Sequence, residues 1–252
     1  MKKLFLRVLP LLLCLVMLLS SCAKLPKMEY RDGVYTNQKN GIRYQSAPAY
    51  YEAVALSGDE AVARIIQGDN ELLVYEIAGV EPENMLASAN YEVFCAVGTT
   101  LPELGELDVD KVLVCKTAEM TYELATVASE RDIAELVGAY CNFVGFDMSE
   151  IDVGLEKERY DLKFSSNTLP GVYYCLTYWE FEDEVLVYEV IDDFENFEKT
   201  YPDVEVTTEE YKGEKYAVYH FGANILYNRS TKLCYPAGDV VAKYLLGEAE
   251  TE

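Results

Sequence analysis

The pair Asn40-Gly41 stands between two short runs of β-favouring residues, Val34-Tyr35-Thr36 and Ile42-Arg43-Tyr44. Asn and Gly both tolerate positive φ, so this spacing predicts a tight β-hairpin. The pattern recurs. Residues 62–77 carry Gly68-Asp69-Asn70 at a turn, with Glu71, Leu72, Leu73, Val74, Tyr75, Glu76 and Ile77 as the return strand. Residues 211–219 turn at Lys212-Gly213, and residues 225–235 turn around Arg229-Ser230-Thr231. Strands joined by so few residues run antiparallel, because a parallel pair needs a crossover of about a dozen residues or more. The 21 tyrosines and 9 phenylalanines fit the same picture, since aromatic side chains suit a pleated, half-buried surface. The fold class expected is α+β: a mainly antiparallel β-sheet built from hairpins, with two or three helices.

Further strands are expected at 91–97, 111–116 and 121–127, while 50–56 reads equally as strand or helix. Two long runs dominate the second half, Val172 to Phe181 and Glu184 to Ile191, joined at Glu182-Asp183. The first has apolar residues on both faces, with Val172, Tyr174, Leu176 and Tyr178 on one side and Tyr173, Cys175 and Trp179 on the other. Such a strand belongs in the middle of a sheet covered on both faces. The clearest helix starts after Ser129, a good N-cap, with Asp132 placed to face back toward it. Ile133, Leu136, Val137, Tyr140 and Cys141 then form one apolar stripe. A second helix is expected from Asp239 to Leu246.

The polar, aperiodic stretch 145–158 suggests a boundary between an N-terminal α+β region at 33–148 and a C-terminal α+β region at 159–248, free to pack as one domain. Each region runs strands first and helix last, a pattern that a duplication would leave but that is too common to establish one.

The amino terminus carries an address. Lys2, Lys3 and Arg7 precede an apolar run from Val8 to Leu19 that contains Pro10 and stops at Ser20-Ser21. It is shorter than the roughly 20 apolar residues a membrane-spanning helix needs, and it has the length of a cleaved signal. The junction Leu19-Ser20-Ser21-Cys22 resembles the lipobox of bacterial lipoproteins. The resemblance implies that residues 1–21 are a signal peptide cut between Ser21 and Cys22. It also implies that Cys22 carries the lipid, palmitate among its acyl chains, and that residues 22–32 form a tether on the extracytoplasmic face of a bacterial membrane. Each buried methylene contributes about 0.8 kcal/mol, so two or more chains anchor stably where one does not.

Losing that leader removes three basic residues and no acidic one, which moves the formal net charge from −23 to −26. Nucleic-acid binding rests on Lys and Arg neutralising phosphates, so nucleic acid is excluded as a partner. Lys24 and Lys27, just beyond the anchor, are the local exception and could touch lipid headgroups.

Little else in the chain carries chemistry. Cys95, Cys115, Cys141, Cys175 and Cys234 are far apart, with apolar or aromatic neighbours and no CxxC pair, so a zinc or redox site is not expected. Buried apolar thiols are the reading, with one disulfide allowed and at least one thiol left over. His220 is the single histidine and there is no Gly-x-Ser-x-Gly elbow, so it is read as a strand residue rather than a catalytic base. From Glu180 through Asp192, Asp193 and Glu195 to Glu210 carboxylates are dense, which reads as a solvated face. The calcium-loop glycine and ligand spacing are missing. Tyr173, Tyr174, Tyr178, Trp179 and Phe181 are either core or an exposed stacking platform for carbohydrate or peptide.

The segment from Ile77 to Leu86, Ile-Ala-Gly-Val-Glu-Pro-Glu-Asn-Met-Leu, following the hairpin at Asn40-Gly41, resembles uncharacterised lipoproteins of gut bacteria. That resemblance covers about the first half of the chain and brings no activity with it. The function expected is a membrane-anchored surface lipoprotein acting as a non-catalytic binding or interaction module. Its partner would be an envelope protein or glycan, with no cofactor and no metal. The alternatives are a cell-envelope hydrolase using a carboxylate pair and, last, a transport substrate-binding lipoprotein, which the missing βαβ repeats disfavour.

Overall fold

The computed structural model describes residues 25–67, 70–117, 120–147, 151–152, 155–190, 206–211 and 214–247. Among them, three antiparallel-dominated sheets and two α-helices account for the fold, in keeping with the α+β expectation.

The first sheet is a closed barrel made from β1 (Lys27–Arg31), β2 (Val34–Asn37), β3 (Arg43–Ser46), β5 (Ala63–Gln67), β6 (Asn70–Glu76), β7 (Met85–Ser88) and β8 (Val93–Ala96). Its strand order is β1-β2-β3-β8-β7-β6-β5. The ring closes through a parallel contact, Lys27 opposite Arg64 and Met28 opposite Ile65. The hairpins expected around Asn40-Gly41 and Gly68-Asp69-Asn70 are β2–β3 and β5–β6. Gly41 sits at φ +75°, the left-handed conformation the turn requires. Met28, Tyr35, Tyr44, Ile65, Val74, Leu86 and Phe94 fill the interior.

The strand β1 corrects the expected tether: residues 27–31 of the predicted 22–32 segment are ordered in the barrel. Met28 is the reason, because its side chain is buried among the barrel's apolar residues.

The second sheet has the order β10-β9-β13-β14-β18-β19-β11. Its members are β9 (Val109–Thr117), β10 (Thr121–Val127), β11 (Phe146–Asp147), β13 (Glu156–Ser166), β14 (Val172–Phe181), β18 (Asn224–Asn228) and β19 (Leu233–Pro236). The short β4 (Tyr51–Ala53) adds to one end of β14. The third sheet, β12-β15-β17-β16, comprises β12 (Ile151–Asp152), β15 (Leu186–Val190), β16 (Val206–Tyr211) and β17 (Glu214–His220).

The regions expected at 33–148 and 159–248 are joined through β9 and β13, which pair over six residue pairs. One further expectation changes here: the runs joined at Glu182-Asp183 do not pair with each other, since β14 lies between β13 and β18, whereas β15 pairs with β12 and β17. Apolar residues on both faces of β14 make it a central strand, and both its sides are taken.

Helix α1 (Glu130–Cys141) begins at Ser129, whose Oγ accepts the Asp132 backbone N–H at 3.4 Å. Asp132 itself departs from the expected capping role, since its carboxylate accepts from the Tyr244 hydroxyl at 3.0 Å and so ties α1 to α2 (Val240–Leu246). Ile133 and Leu136 are buried and Val137 and Tyr140 are partly so, but Cys141, the last residue of the expected stripe, is exposed.

The main core lies between α1 and α2, the inner face of the large sheet and the barrel wall. Val112, Val114, Leu162, Phe164, Tyr174 and Leu226 belong to the same cluster as Met85, Ala87, Val93 and Cys95 of β7 and β8. Those two barrel strands are therefore buried on both faces.

Candidate functional site: a mixed-charge cleft on the open face of the large sheet

Side chains alternate across a strand, so the register places Asp161, Lys163, Cys175 and Thr177 on the sheet face opposite the core. Tyr173 and Glu52 are cross-strand partners on that same face. At one end the face is covered by the third sheet, where Trp179 and Ile225 pack with Val185, Val187, Tyr219 and Phe221. Beyond that cover the face turns polar and becomes a cleft of about 280 Å³. Its wall includes Glu52, Asn90, Tyr91, Asp161, Lys163 and Arg229.

Two ion pairs line it. Lys163 donates to Glu52, and its side chain is only 12% exposed. Burial pulls the ammonium pKa down, but the hydrogen bond to Glu52 and its charge outweigh that, and the net displacement is upward. Arg229 donates to Asp161 and, from Nε, to the Thr177 hydroxyl at 2.9 Å. Thr117 donates to the other Asp161 oxygen at 2.7 Å. The Cys175 thiol is 3.9 Å from Glu52 Oε2. Burial first and the Glu52 charge second hold that thiol well above its ordinary pKa. Little thiolate exists at neutral pH, so Cys175 is not an activated nucleophile.

Local sequence explains how two of these residues are presented. The Asn228 side-chain carbonyl accepts the backbone N–H groups of Ser230 and Thr231, at 2.9 and 3.2 Å, which shapes the β18–β19 turn carrying Arg229. The buried Ser88 hydroxyl accepts from the N–H groups of Asn90 and Glu92, at 3.1 and 3.2 Å, across the β7–β8 turn. That turn holds Tyr91 at φ +65°, with the residue 41% exposed. The left-handed conformation costs a non-glycine residue about 1–2 kcal/mol.

A wider hollow of about 560 Å³ adjoins the cleft and shares Thr117, Asp161 and Arg229 with it. It continues past Lys116, Arg159 and Tyr160, where Lys116 pairs with Glu158 and Arg159 with Glu156.

The residues singled out from sequence fall elsewhere. Ser21, Cys22 and the acidic triplet Asp192, Asp193 and Glu195 lie outside the described residues. His220 is on β17, its Nδ1 3.1 Å from a Glu184 carboxylate oxygen. The stacking platform does not exist as a surface: Tyr174, Tyr178, Trp179 and Phe181 are buried, and only Tyr173 of the five is partly open. Trp179 stacks on Tyr227 at 4.8 Å, with the Arg159 guanidinium 4.5 Å from its ring. Cys95, Cys115, Cys141, Cys175 and Cys234 are all thiols, Cys141 being the exposed one. Burial pushes Cys234 up to about 12. Among the described residues no group of three or more His, Cys, Asp or Glu side chains is placed to hold a metal ion.

Sequence reasoning missed the cleft because its members are single charged residues far apart in the chain. The available signal was Asp161 and Lys163 alternating with Tyr160, Leu162 and Phe164, which marks a strand with one polar and one apolar face. No protein-family model, curated protein or solved structure matches the chain, so the site is interpreted from its own geometry.

Proposed function

We propose that this protein is a lipid-anchored, non-catalytic binding module of the bacterial cell envelope, held by acyl chains on Cys22 and presenting the Lys163–Arg229 cleft outside the cytoplasm. The observation that carries the binding half is the cleft's composition. Two cations and two carboxylates are matched one to one, beside a thiol that burial keeps protonated. Such a surface offers hydrogen bonds in fixed positions without a nucleophile. The anchoring half rests on the lipobox-like Leu19-Ser20-Ser21-Cys22 behind a basic start and an apolar run.

One observation favours the hydrolase alternative: Glu52 and Asp161 line the same cleft. Against it, each carboxylate already accepts from a cation, whereas a general acid is usually a carboxyl set in apolar surroundings. Both halves are open to test. In cells fed labelled palmitate, the wild-type chain should take up label and be shortened by its leader, while Cys22→Ala should do neither. Equal labelling of the two would end the anchoring proposal. Turnover of a chromogenic glycoside that disappears in Asp161→Asn would replace the binding module with the hydrolase.

A further inference from the structure

Resting on the binding reading above, we infer that the cleft takes a neutral, hydroxyl-rich ligand, the end of an uncharged oligosaccharide, with the exposed Tyr91 ring as its stacking surface.

Charge selects the ligand class first. The mature chain carries a formal −26 once the leader's three basic residues are gone from −23, so anions are repelled at long range. Inside the cleft neither sign is in excess, since Lys163 is matched by Glu52 and Arg229 by Asp161. An ionic ligand would have to break one of those pairs and leave a partly buried charge behind. A ligand without charge leaves both pairs standing.

Hydrogen-bonding capacity selects next. The described bonds use one donor of the Lys163 ammonium and part of the Arg229 fork, and Asn90, Thr117 and Thr121 add amide and hydroxyl groups to the wall. Adjacent hydroxyls on a sugar, each both donor and acceptor, can meet such interleaved donors and acceptors together. Ion-paired groups give shorter, stronger bonds than neutral ones.

Shape selects last. Tyr91 is 41% exposed, and Ser88 fixes its turn through the two bonds to Asn90 and Glu92. A ring held at the wall of a polar cleft offers a flat face to the C–H side of a sugar ring. The cleft, about 280 Å³, sits at the small end of ligand sites. The adjoining hollow of about 560 Å³ begins at the shared Asp161 and Arg229, so a chain of two or three units has room to run from one into the other.

The test uses the full-length chain in a detergent without a sugar headgroup. Calorimetry and saturation-transfer NMR would be run with cellotriose, maltotriose and chitotriose, against trigalacturonate and the dipeptide Ala-Ala. At least one neutral trisaccharide should bind, trigalacturonate should not, and affinity should fall at least tenfold in Tyr91→Gly and in Arg229→Gln. Tyr91→Gly removes the ring while relieving the positive φ, so it should fold at least as well as the parent, which the thermal midpoint checks. Neutral binding that survives Tyr91→Gly overturns the inference. Binding of the dipeptide alone, lost in Arg229→Gln, overturns the saccharide while sparing the cleft as a site. If the folded protein binds none of the probes, both the inference and the binding reading fall, and palmitate labelling still reports separately on the anchor.

Discussion

The barrel of β1–β3 and β5–β8 and the large sheet around β13–β14 are built from similar aromatic and β-branched strands, yet they end as opposite kinds of surface. In the barrel, Lys27 and Met28 meet Arg64 and Ile65, so no edge is left open, and apolar side chains fill the inside. Closure answers the edge problem completely, and the filled interior leaves no room for a ligand inside the barrel. The large sheet stays open. One face is covered by helices and barrel wall, while the other is only partly covered by the third sheet and carries charges where cover stops. The difference teaches that an open sheet keeps a polar concave face which a closed barrel cannot, while the barrel lends that sheet a wall through β7 and β8 and a rim residue in Tyr91.

The largest expected effect tests whether the two regions fold as one. Phe164 lies fully buried in the main core and Phe94 is 3% exposed in the barrel cluster. Truncation of either to Ala should cost about 3–5 kcal/mol. Trp179 is the only tryptophan and reports on the large sheet. Because β7 and β8 serve both cores, Phe94→Ala should lower the denaturant midpoint seen by Trp179 fluorescence as clearly as Phe164→Ala does. A midpoint unmoved by Phe94→Ala would make the barrel an independent unit.

A smaller contrast sharpens the polar side of the comparison. Lys163→Met strands Glu52 beside a partly buried thiol and should cost about 1–3 kcal/mol. Arg64→Met in the barrel removes a more exposed pair with Glu71, side chains 27% and 48% exposed, and should cost under about 1 kcal/mol. Urea midpoints decide it, and equal losses would mean that the cleft pair is no better sheltered than a surface one.

The gentlest probe is alkali. Burial pushes Tyr50 and Tyr235 up to about 12, and it moves Tyr51, Tyr174 and Tyr178 in the same direction. Tyr44, inside the barrel, is also raised, by burial and then by Glu83. A phenol held protonated in the fold contributes stability that is fully present below its unfolded pKa of about 10 and lost as pH rises through the folded value. Stability should therefore be flat up to pH about 10 and decline from there toward 12. Tyrosinate absorbance of these residues should rise together with loss of Trp179 fluorescence. Smooth ionisation near pH 10 with fluorescence intact would contradict the buried placement.

Much of the fold was legible because its signals are local. Asn40-Gly41, Gly68-Asp69-Asn70 and Arg229-Ser230-Thr231 mark turns by backbone chemistry, and Ser129 marks a helix start by its side-chain oxygen. The parallel contact that closes the barrel has no such signal, since it joins Met28 to Ile65 across 37 positions through a single short register. The cleft was hidden for the same reason. Glu52, Tyr91, Asp161, Lys163 and Arg229 come from four separate segments and meet only when β4, the β7–β8 turn, β13 and the β18–β19 turn converge. For the aromatic run of β14 core packing was the simpler reading and a platform the alternative, and what covers each face decides for the core.

The closure of the barrel has a mechanical side. β1 is bonded on both flanks, antiparallel to β2 and, at Lys27 and Met28, parallel to β5, and among the described residues it is the strand nearest the amino terminus. A pull applied there along the strand axis is shared by the rungs on both flanks, which must shear together instead of unzipping in turn. A load that enters the barrel at this end therefore meets a strand held on two sides.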